Sequence, residues 1–478
     1  MSPAYSRAVV ANTIDNSQTL NEVVVTDVYA TIRVPQLSLV FRCDRPTEPG
    51  VRLSLADLDE LTIGRGVGGI KLERDDSGQF VAWRLRDDLM SRVHVRVSRE
   101  SGGWMLTDLK SKNGSFIGGR RIVQEQLRDG DFFRVGSAIF MFRYADVCLE
   151  RKHIGAHFAD DSKISALSTL IPDLEMSWQQ AAGLAQTDLP LLILGETGVG
   201  KELIARELHA RSSRLGRWVA VNCGAIPETL IESEFFGHCR GAFSGALDDQ
   251  VGLLRRAHRG TLFLDEVAEL SEGGQVALLR VLQEQEVRPV GSTDPIAVDI
   301  RIIAATHRDL EASVTQGRFR EDLYARLAGH AIRVPPLRHR REDLGLIVSQ
   351  ILRGKLAEFA VTTSFSATAA MALLTHPFPR NIRELEHILC RAIALANGGR
   401  VRSTHLPKDV SEHLPEFVDK RRAAALDDYD LERRLIATLR ETNGNISETG
   451  RRFGKAPIQI RRWLKRFDID VNRFRRSA

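Results

Sequence analysis

The sequence predicts three kinds of fold on one chain: an all-β sandwich, an α/β unit with a helical cap, and a small all-α unit. Three observations predict them. Residues 36–145 hold short apolar or alternating runs, among them Leu37 to Phe41, Val93 to Val97 and Ile139 to Phe142, separated by Gly, Asp and Asn turns. Residues 165–335 alternate apolar strands with helical patterns, as a sheet covered by crossover helices does, and residues 336–405 read as helical. Residues 429–478 hold two short helical stretches on either side of Gly454.

Length agrees, since 478 residues make roughly three domains at about 150 residues each. With 43% hydrophobic and 27% charged residues, the composition is that of a soluble protein. The longest run without Asp, Glu, Lys or Arg, Phe359 to Pro379, is rich in Ser and Thr and ends in Pro377 and Pro379, so no membrane span is expected. No basic region followed by an apolar core opens the chain, so no secretory signal is expected. Cys43, Cys148, Cys223, Cys239 and Cys390 are scattered without paired spacing, which argues against disulfides and zinc and for a reducing, cytoplasmic setting. Residues 1–35 read as a loose arm, and 146–164 and 406–428 as linkers. No internal repeat is visible.

The formal net charge of +5 is not spread evenly. From Glu441 to Ala478 there are ten Lys or Arg against four Asp or Glu, a local excess larger than that of the whole chain.

The central unit carries the strongest chemical signal. An apolar strand from Leu189 to Leu194 runs into Gly195, Glu196, Thr197, Gly198, Val199, Gly200 and Lys201, and a helical pattern begins at Glu202. Strand, Gly-rich loop and helix in that order form a P-loop: the glycines let backbone N–H groups wrap a phosphate, the helix N-terminus adds partial positive charge, and Lys201 reaches the β and γ phosphates. Glu202 stands where a magnesium-holding hydroxyl is usual. Downstream, the apolar run from Gly260 ends in Asp265 and Glu266, which suits Asp265 to hold Mg²⁺ and Glu266 to polarise an attacking water. Together these predict a nucleotide triphosphatase that uses Mg²⁺.

Between the two motifs lie Gly241, Ala242, Phe243, Ser244, Gly245 and Ala246, an aromatic bracketed by small residues and without a local packing partner in the sequence. The plain reading is a mobile surface loop. The segment also resembles the GAFTGA loop of bacterial enhancer-binding proteins, the AAA+ ATPases that activate sigma-54 RNA polymerase, with Ser244 where Thr is usual. Glu202 is itself usual in that family. The resemblance covers about residues 170–405 and implies an AAA+ ATPase subdomain over 165–335 and a helical lid over 336–405. It further implies that the loop pushes on the sigma factor, that Asn222 restrains the catalytic Glu266, and that Thr306, in Ala304 to Arg308, senses the γ-phosphate. Arg320 and Arg326 would reach a neighbouring subunit's nucleotide in a homo-oligomeric ring, a hexamer by resemblance. Arg383, in the run from Pro379 to Leu385, would be the second sensor; Arg380 and Phe378 replace the usual Gly and Trp.

In the basic C-terminal unit, Ile446 to Phe453 and the stretch from Pro457 to about Phe467 read as a helix-turn-helix around Gly454. Gln459, Arg461, Arg462, Lys465 and Arg466 are its DNA-contact candidates, while Ile460, Trp463, Leu464 and Phe467 form a packing face. The unit resembles the Fis-type domain that ends most enhancer-binding proteins, which implies enhancer DNA as a partner. In the N-terminal sandwich, Gly64 and Arg65, then Ser91 to His94, then Asp108 to Ser115 resemble in order the forkhead-associated (FHA) domain. That resemblance implies binding of a phosphothreonine-containing protein from a serine/threonine kinase pathway. Arg65 and Ser91 would hold the phosphate, Arg92, Lys112 and Asn113 would shape the peptide site, and His94 would be structural. Two functions are therefore weighed: a sigma-54-dependent activator gated by phosphothreonine, and a DNA-bound ATPase that represses or remodels without engaging sigma.

Overall fold

The structure is a computed structural model, and it describes residues 31–67, 71–75, 80–148, 156–158, 164–412, 431, 434–466 and 469–474. The first thirty residues of the expected arm and most of both expected linkers lie outside the described residues.

Two antiparallel-rich sheets of seven and six strands form the sandwich. Trp83, wholly buried, meets Phe140 edge to face at 5.3 Å, and Phe133 stacks on Phe140 from another side at the same spacing. The sandwich is larger than the sequence predicts. Its first strand spans Thr31–Arg42 and pairs with Ala138–Cys148 along its whole length, so the last residues of the expected arm are strand. The apolar signal there is faint because Ile32 stays exposed and only Val34 turns inward. Likewise Ala156–Phe158, expected in a linker, adds a strand beside Val51–Ser54.

The α/β unit is a five-stranded parallel sheet in the order Trp218–Asn222, Thr261–Asp265, Arg301–Thr306, Leu191–Leu194, His330–Arg333. Helix Lys201–Ala210 packs on it through Ile204, Ala205 and Leu208. The lid contains helices Leu344–Arg353, Ala367–Thr375, Asn381–Leu395 and Lys408–Glu412, so it extends past residue 405.

Leu344–Arg353 is buried at eight of its ten positions, which requires apolar cover on every side. The lid covers one side. The sandwich covers the other: Val40, Phe41, Cys43, Ile139 and Met141 belong to the same hydrophobic core as Leu344, Val348, Phe365, Phe378, Leu385 and Leu389. Arg143 pairs with Glu342 at 2.5 Å, and the buried Arg52 pairs with Glu175 at 2.8 Å while donating to the Leu170 carbonyl. Sandwich and lid are thus built as one packed body.

At the C-terminus, Ile446–Phe453 and Pro457–Arg466 are helices, with Gly454 at φ 58° between them. Asn445 caps the first through the N–H groups of Ser447 and Glu448. Ile460 and Leu464 pack against Leu435 and Leu439 from a preceding helix.

Candidate nucleotide-binding site and its surroundings

Parallel pairing decides what meets at the sheet's carboxyl edge. Leu194 lies level with Thr306, and Asn222 level with Asp265. Gly195, Asn222, Asp265 and Thr306 therefore gather on one rim, where open α/β sheets bind ligands. Gly198 and Gly200 adopt φ of 81° and 99°, which turns the loop tightly into the N-terminus of Lys201–Ala210. Lys201 is buried, and its Nζ donates to the Gly195 carbonyl at 2.9 Å and lies 3.5 Å from Glu266 Oε1. The ammonium waits inside the loop beside the acid.

Glu266 sits at φ 53°, a left-handed conformation rare for a glutamate and common at functional turns. His307 Nδ1 lies 2.7 Å from its Oε2, the His307 N–H donates at 3.3 Å, and Thr306 Oγ1 at 3.4 Å. The two neighbouring carboxyls are driven apart. Burial and the adjacent Glu266 push Asp265 above the usual carboxylate range. Burial works against Glu266 too, but the bonds from His307 and the Lys201 charge hold it below that range. An ionised base beside a carboxyl that gains from a cation is the arrangement that activates water next to a metal-bound phosphate.

Asn222 Oδ1 accepts from Gly224 N–H at 3.0 Å and caps the short turn after its own strand, while His307 holds Glu266. Sequence reasoning quoted His307 without giving it a role. It also missed Asn381 and Arg338. Asn381 is fully buried at φ 56° and donates to Glu196 Oε2 and to the Thr197 carbonyl, both at 3.1 Å, while accepting from Leu337 N–H. Arg338 grips the same Glu196 with two bonds, at 2.9 and 2.6 Å. These partners, Arg338 first, hold the Glu196 carboxyl down to about 2. The signal was present: an asparagine following Pro379 and Arg380 suits a left-handed helix entry.

Arg383 is exposed, with its Cβ close to Gly198 of the loop. Arg326 is exposed, as is Arg320, which is gripped by Asp322 through two bonds at 3.0 and 2.7 Å. Glu202 is exposed and pairs with Arg206.

Gly237–His238 and Gln250–Val251 pair as the neck of the loop that holds Gly241 to Ala246. Gly241 N–H closes on the Ala246 carbonyl at 2.8 Å. Phe243 is half-exposed and, contrary to expectation, has a partner: its ring meets His238 edge to face at 5.0 Å. Ser244 is exposed.

In the sandwich, the exposed Arg65, Arg92 and Lys112 surround the half-buried Ser91. Ser91 Oγ accepts from Lys112 N–H, and Asn113 Nδ2 donates to the Leu89 carbonyl at 2.7 Å. A Cβ on Gly64 would lie 2.0 Å from the Arg92 carbonyl, so only glycine lets these loops meet. His94 is buried with Nδ1 accepting from Ser91 N–H and Nε2 facing the Gly114 carbonyl, and burial lowers its pKa. In the C-terminal unit, Arg461 and Arg462 are exposed and Gln459 half-buried, while Trp463 packs edge-on against Phe453. Lys465 and Arg466 lie on the same helix; their side chains and Phe467 are outside the described residues.

Residues 169–333 match the sigma-54 interaction domain, 338–423 the AAA+ ATPase lid domain, and 61–136 the FHA domain. The transcriptional regulatory protein GlrR of Escherichia coli is 36% identical over 436 residues, which cover 89% of this chain and 95% of GlrR. The chain belongs to the sigma-54-dependent regulators, the bacterial enhancer-binding proteins. The response regulator protein PilR of Pseudomonas aeruginosa is 43% identical over 63% of the chain and 69% of PilR. The hydrogenase transcriptional regulatory protein HoxA of Cupriavidus necator is 49% identical over 52% of each, so the chain spans about half the length of HoxA. This enhancer-binding protein therefore joins an FHA domain to an AAA+ unit. Its sandwich runs beyond the matched FHA residues on both sides, through Thr31–Arg42 and Ala138–Cys148. No helix among the described residues is long and apolar enough to cross a membrane.

Proposed function

We propose that this protein hydrolyses ATP in a ring of subunits, a hexamer by family resemblance, and uses the cycle to drive sigma-54 RNA polymerase to the open complex from an enhancer site. The observation that carries this reading is the convergence of Lys201, Asp265, Glu266 and Thr306 at the sheet's edge. Backbone N–H groups of residues 195–201, the Lys201 ammonium and the helix N-terminus would hold the β and γ phosphates. Asp265 would hold Mg²⁺, which when bound neutralises phosphate charge and orients the γ-phosphoryl group. The donor set fits that role: cationic and N–H donors face a carboxylate that a cation would stabilise. Glu266, kept ionised by His307, takes the proton from the attacking water, and Thr306 donates to the same Oε2 that His307 holds.

Arg320 and Arg326 are exposed on their own subunit, which leaves them available to a neighbour's site, where an arginine is worth ~10³–10⁵ in rate. Arg320 would exchange Asp322 for phosphate on assembly. Phe243, poised on His238 at the tip of a two-stranded neck, is the contact offered to sigma-54. The basic helix Pro457–Arg466 supports DNA binding. Arg65, Ser91, Arg92, Lys112 and Asn113 support phosphothreonine recognition, which in our reading relieves an inhibition of the ATPase.

Open-complex formation on a sigma-54 promoter with ATP tests the proposal. Lys201→Ala should lose nucleotide binding, whereas Arg320→Ala should bind ATP without turning it over. Vigorous hydrolysis with no open complexes would instead favour a repressor or remodeller that does not engage sigma.

A further inference from the structure

The lid helix Leu344–Arg353 approaches the sandwich more closely than side chains allow. A Cβ on Gly345 would stand 2.0 Å from the Val40 carbonyl. Val40 is the extra residue of a bulge, where the pairing of Thr31–Arg42 with Ala138–Cys148 shifts register between Leu39 and Phe41. Bulges re-aim backbone, and here the bulge and the helical glycine face each other. Four further contacts fix the join. Phe41 meets Phe365 edge to face at 5.3 Å, and Phe365 N–H donates to the Cys43 carbonyl at 2.7 Å. Ser349 Oγ and Arg353 Nη2 both donate to the Thr47 carbonyl.

The join connects the two ligand sites. On the sandwich side, Cys43 N–H donates to the Ser137 carbonyl, and Asp87 accepts from Ser137 N–H at 2.6 Å and from Leu89 N–H at 2.8 Å. The Leu89 carbonyl in turn receives Asn113, and the buried Arg42 donates to the Arg86 carbonyl of the same loop. That loop carries Ser91. On the lid side, Phe365 shares a core with Phe378, Leu385 and Leu389 of the segment whose first helical turn holds Asn381 and the Ile382 N–H that donates to the Gly198 carbonyl. A shift of the lid about the phosphate loop must therefore either carry the sandwich along or break the join.

We propose that the bulged face of the sandwich, at Val40, Phe41 and Cys43, is a dedicated docking surface for the lid, and that through it phosphopeptide occupancy and nucleotide occupancy change each other's affinity. The inference deepens the proposed function and rests on its two ligand assignments. Coupling of this kind is reciprocal, and typical values run from about 5-fold to 150-fold in affinity.

Gly345→Ala tests it. Alanine favours a helix by about 1 kcal/mol over glycine, so the lid helix should persist while its Cβ meets the Val40 carbonyl. In the full chain, a fluorescein-labelled pool of phosphothreonine peptides is titrated with and without saturating ADP. Wild type should change its peptide Kd at least about 5-fold on adding ADP. Gly345→Ala should bind both probes with no such change, and calorimetry should show its sandwich melting apart from the lid. If Gly345→Ala does not fold, Arg143→Met, which cuts the ion pair to Glu342 at the start of the lid, should reduce the coupling in the same direction. Wild type binding both probes independently, or Gly345→Ala retaining full coupling, would overturn the inference alone. Wild type binding neither probe would overturn the ligand assignments and this inference with them.

Discussion

Asn381 of the lid and Glu196 of the phosphate loop are joined by a hydrogen bond of 3.1 Å, and the same amide reaches the Thr197 carbonyl. The lid therefore shapes the loop before any nucleotide arrives. Asn381→Asp keeps a residue tolerant of positive φ and keeps the acceptor for Leu337 N–H, but it loses the donor and faces Glu196 with a second negative charge. A hydrogen bond to a charged group is worth ~1.5–3 kcal/mol. A fluorescent ATP analogue should accordingly bind about tenfold to a hundredfold more weakly, in a chain whose circular dichroism is unchanged. Unaltered affinity would remove the lid from loop positioning.

His307 holds Glu266 at 2.7 Å and helps keep its carboxyl below the ordinary range. Removing that bond in His307→Ala lets burial dominate, so the Glu266 pKa rises. The general base must be ionised to work, so the acid limb of ATP turnover against pH should move to higher pH. An acid limb that stays in place would assign the control of Glu266 elsewhere.

His94 is buried and neutral, with Nδ1 accepting from Ser91 N–H. Its folded pKa lies below the ordinary value of 6.5, so the unfolded chain binds the extra proton more readily. The stability it lends is complete above pH 6.5 and drains away as pH falls through the folded value. Protonation also removes the acceptor that sets Ser91. Phosphothreonine peptide binding and the melting temperature of the sandwich should fall together between pH 7 and pH 5. In His94→Gln that slope should flatten, and an equal slope would place the titrating group elsewhere.

Phe243 lies 5.0 Å from His238, outside the nucleotide cleft, and is half-exposed. Phe243→Ala should leave the fold and ATP turnover close to wild type, since the ring touches none of Lys201, Asp265, Glu266 or Thr306 in the bonds described above. Open-complex formation should be lost. Parallel loss of both activities would show that the loop tip supports the ring rather than the sigma contact.

The proposed nucleotide site is legible in the sequence because its chemistry sits in contiguous runs: Leu191 to Lys201 and Gly260 to Glu266 each carry strand, turn and reactive group together. The FHA loops were legible for the same reason. Relationships between distant segments were not. Nothing in the run Val221 to Cys223 says that Asn222 will cap its own turn, and nothing near Phe243 says that His238 will fold back beneath it. The join of sandwich and lid pairs Thr47 with Ser349 across some three hundred residues. One trace of it was readable: from Leu344 to Leu352 only Ser349 and Gln350 are polar, a wider apolar face than a helix covering only one neighbour needs.

That shared core bears on how the protein can be cut. A fragment beginning near residue 150 would strip Val40, Phe41, Ile139 and Met141 from Leu344, Ile347 and Phe365. The bared face would be a continuous apolar patch of the kind that drives self-association. Such a truncate is expected to collect in inclusion bodies or to oligomerise through the wrong surface. Whatever rate it displayed would describe a damaged lid and not a released one. For this chain, a one-atom change such as Gly345→Ala is a gentler way to separate sensor from motor than a pair of scissors.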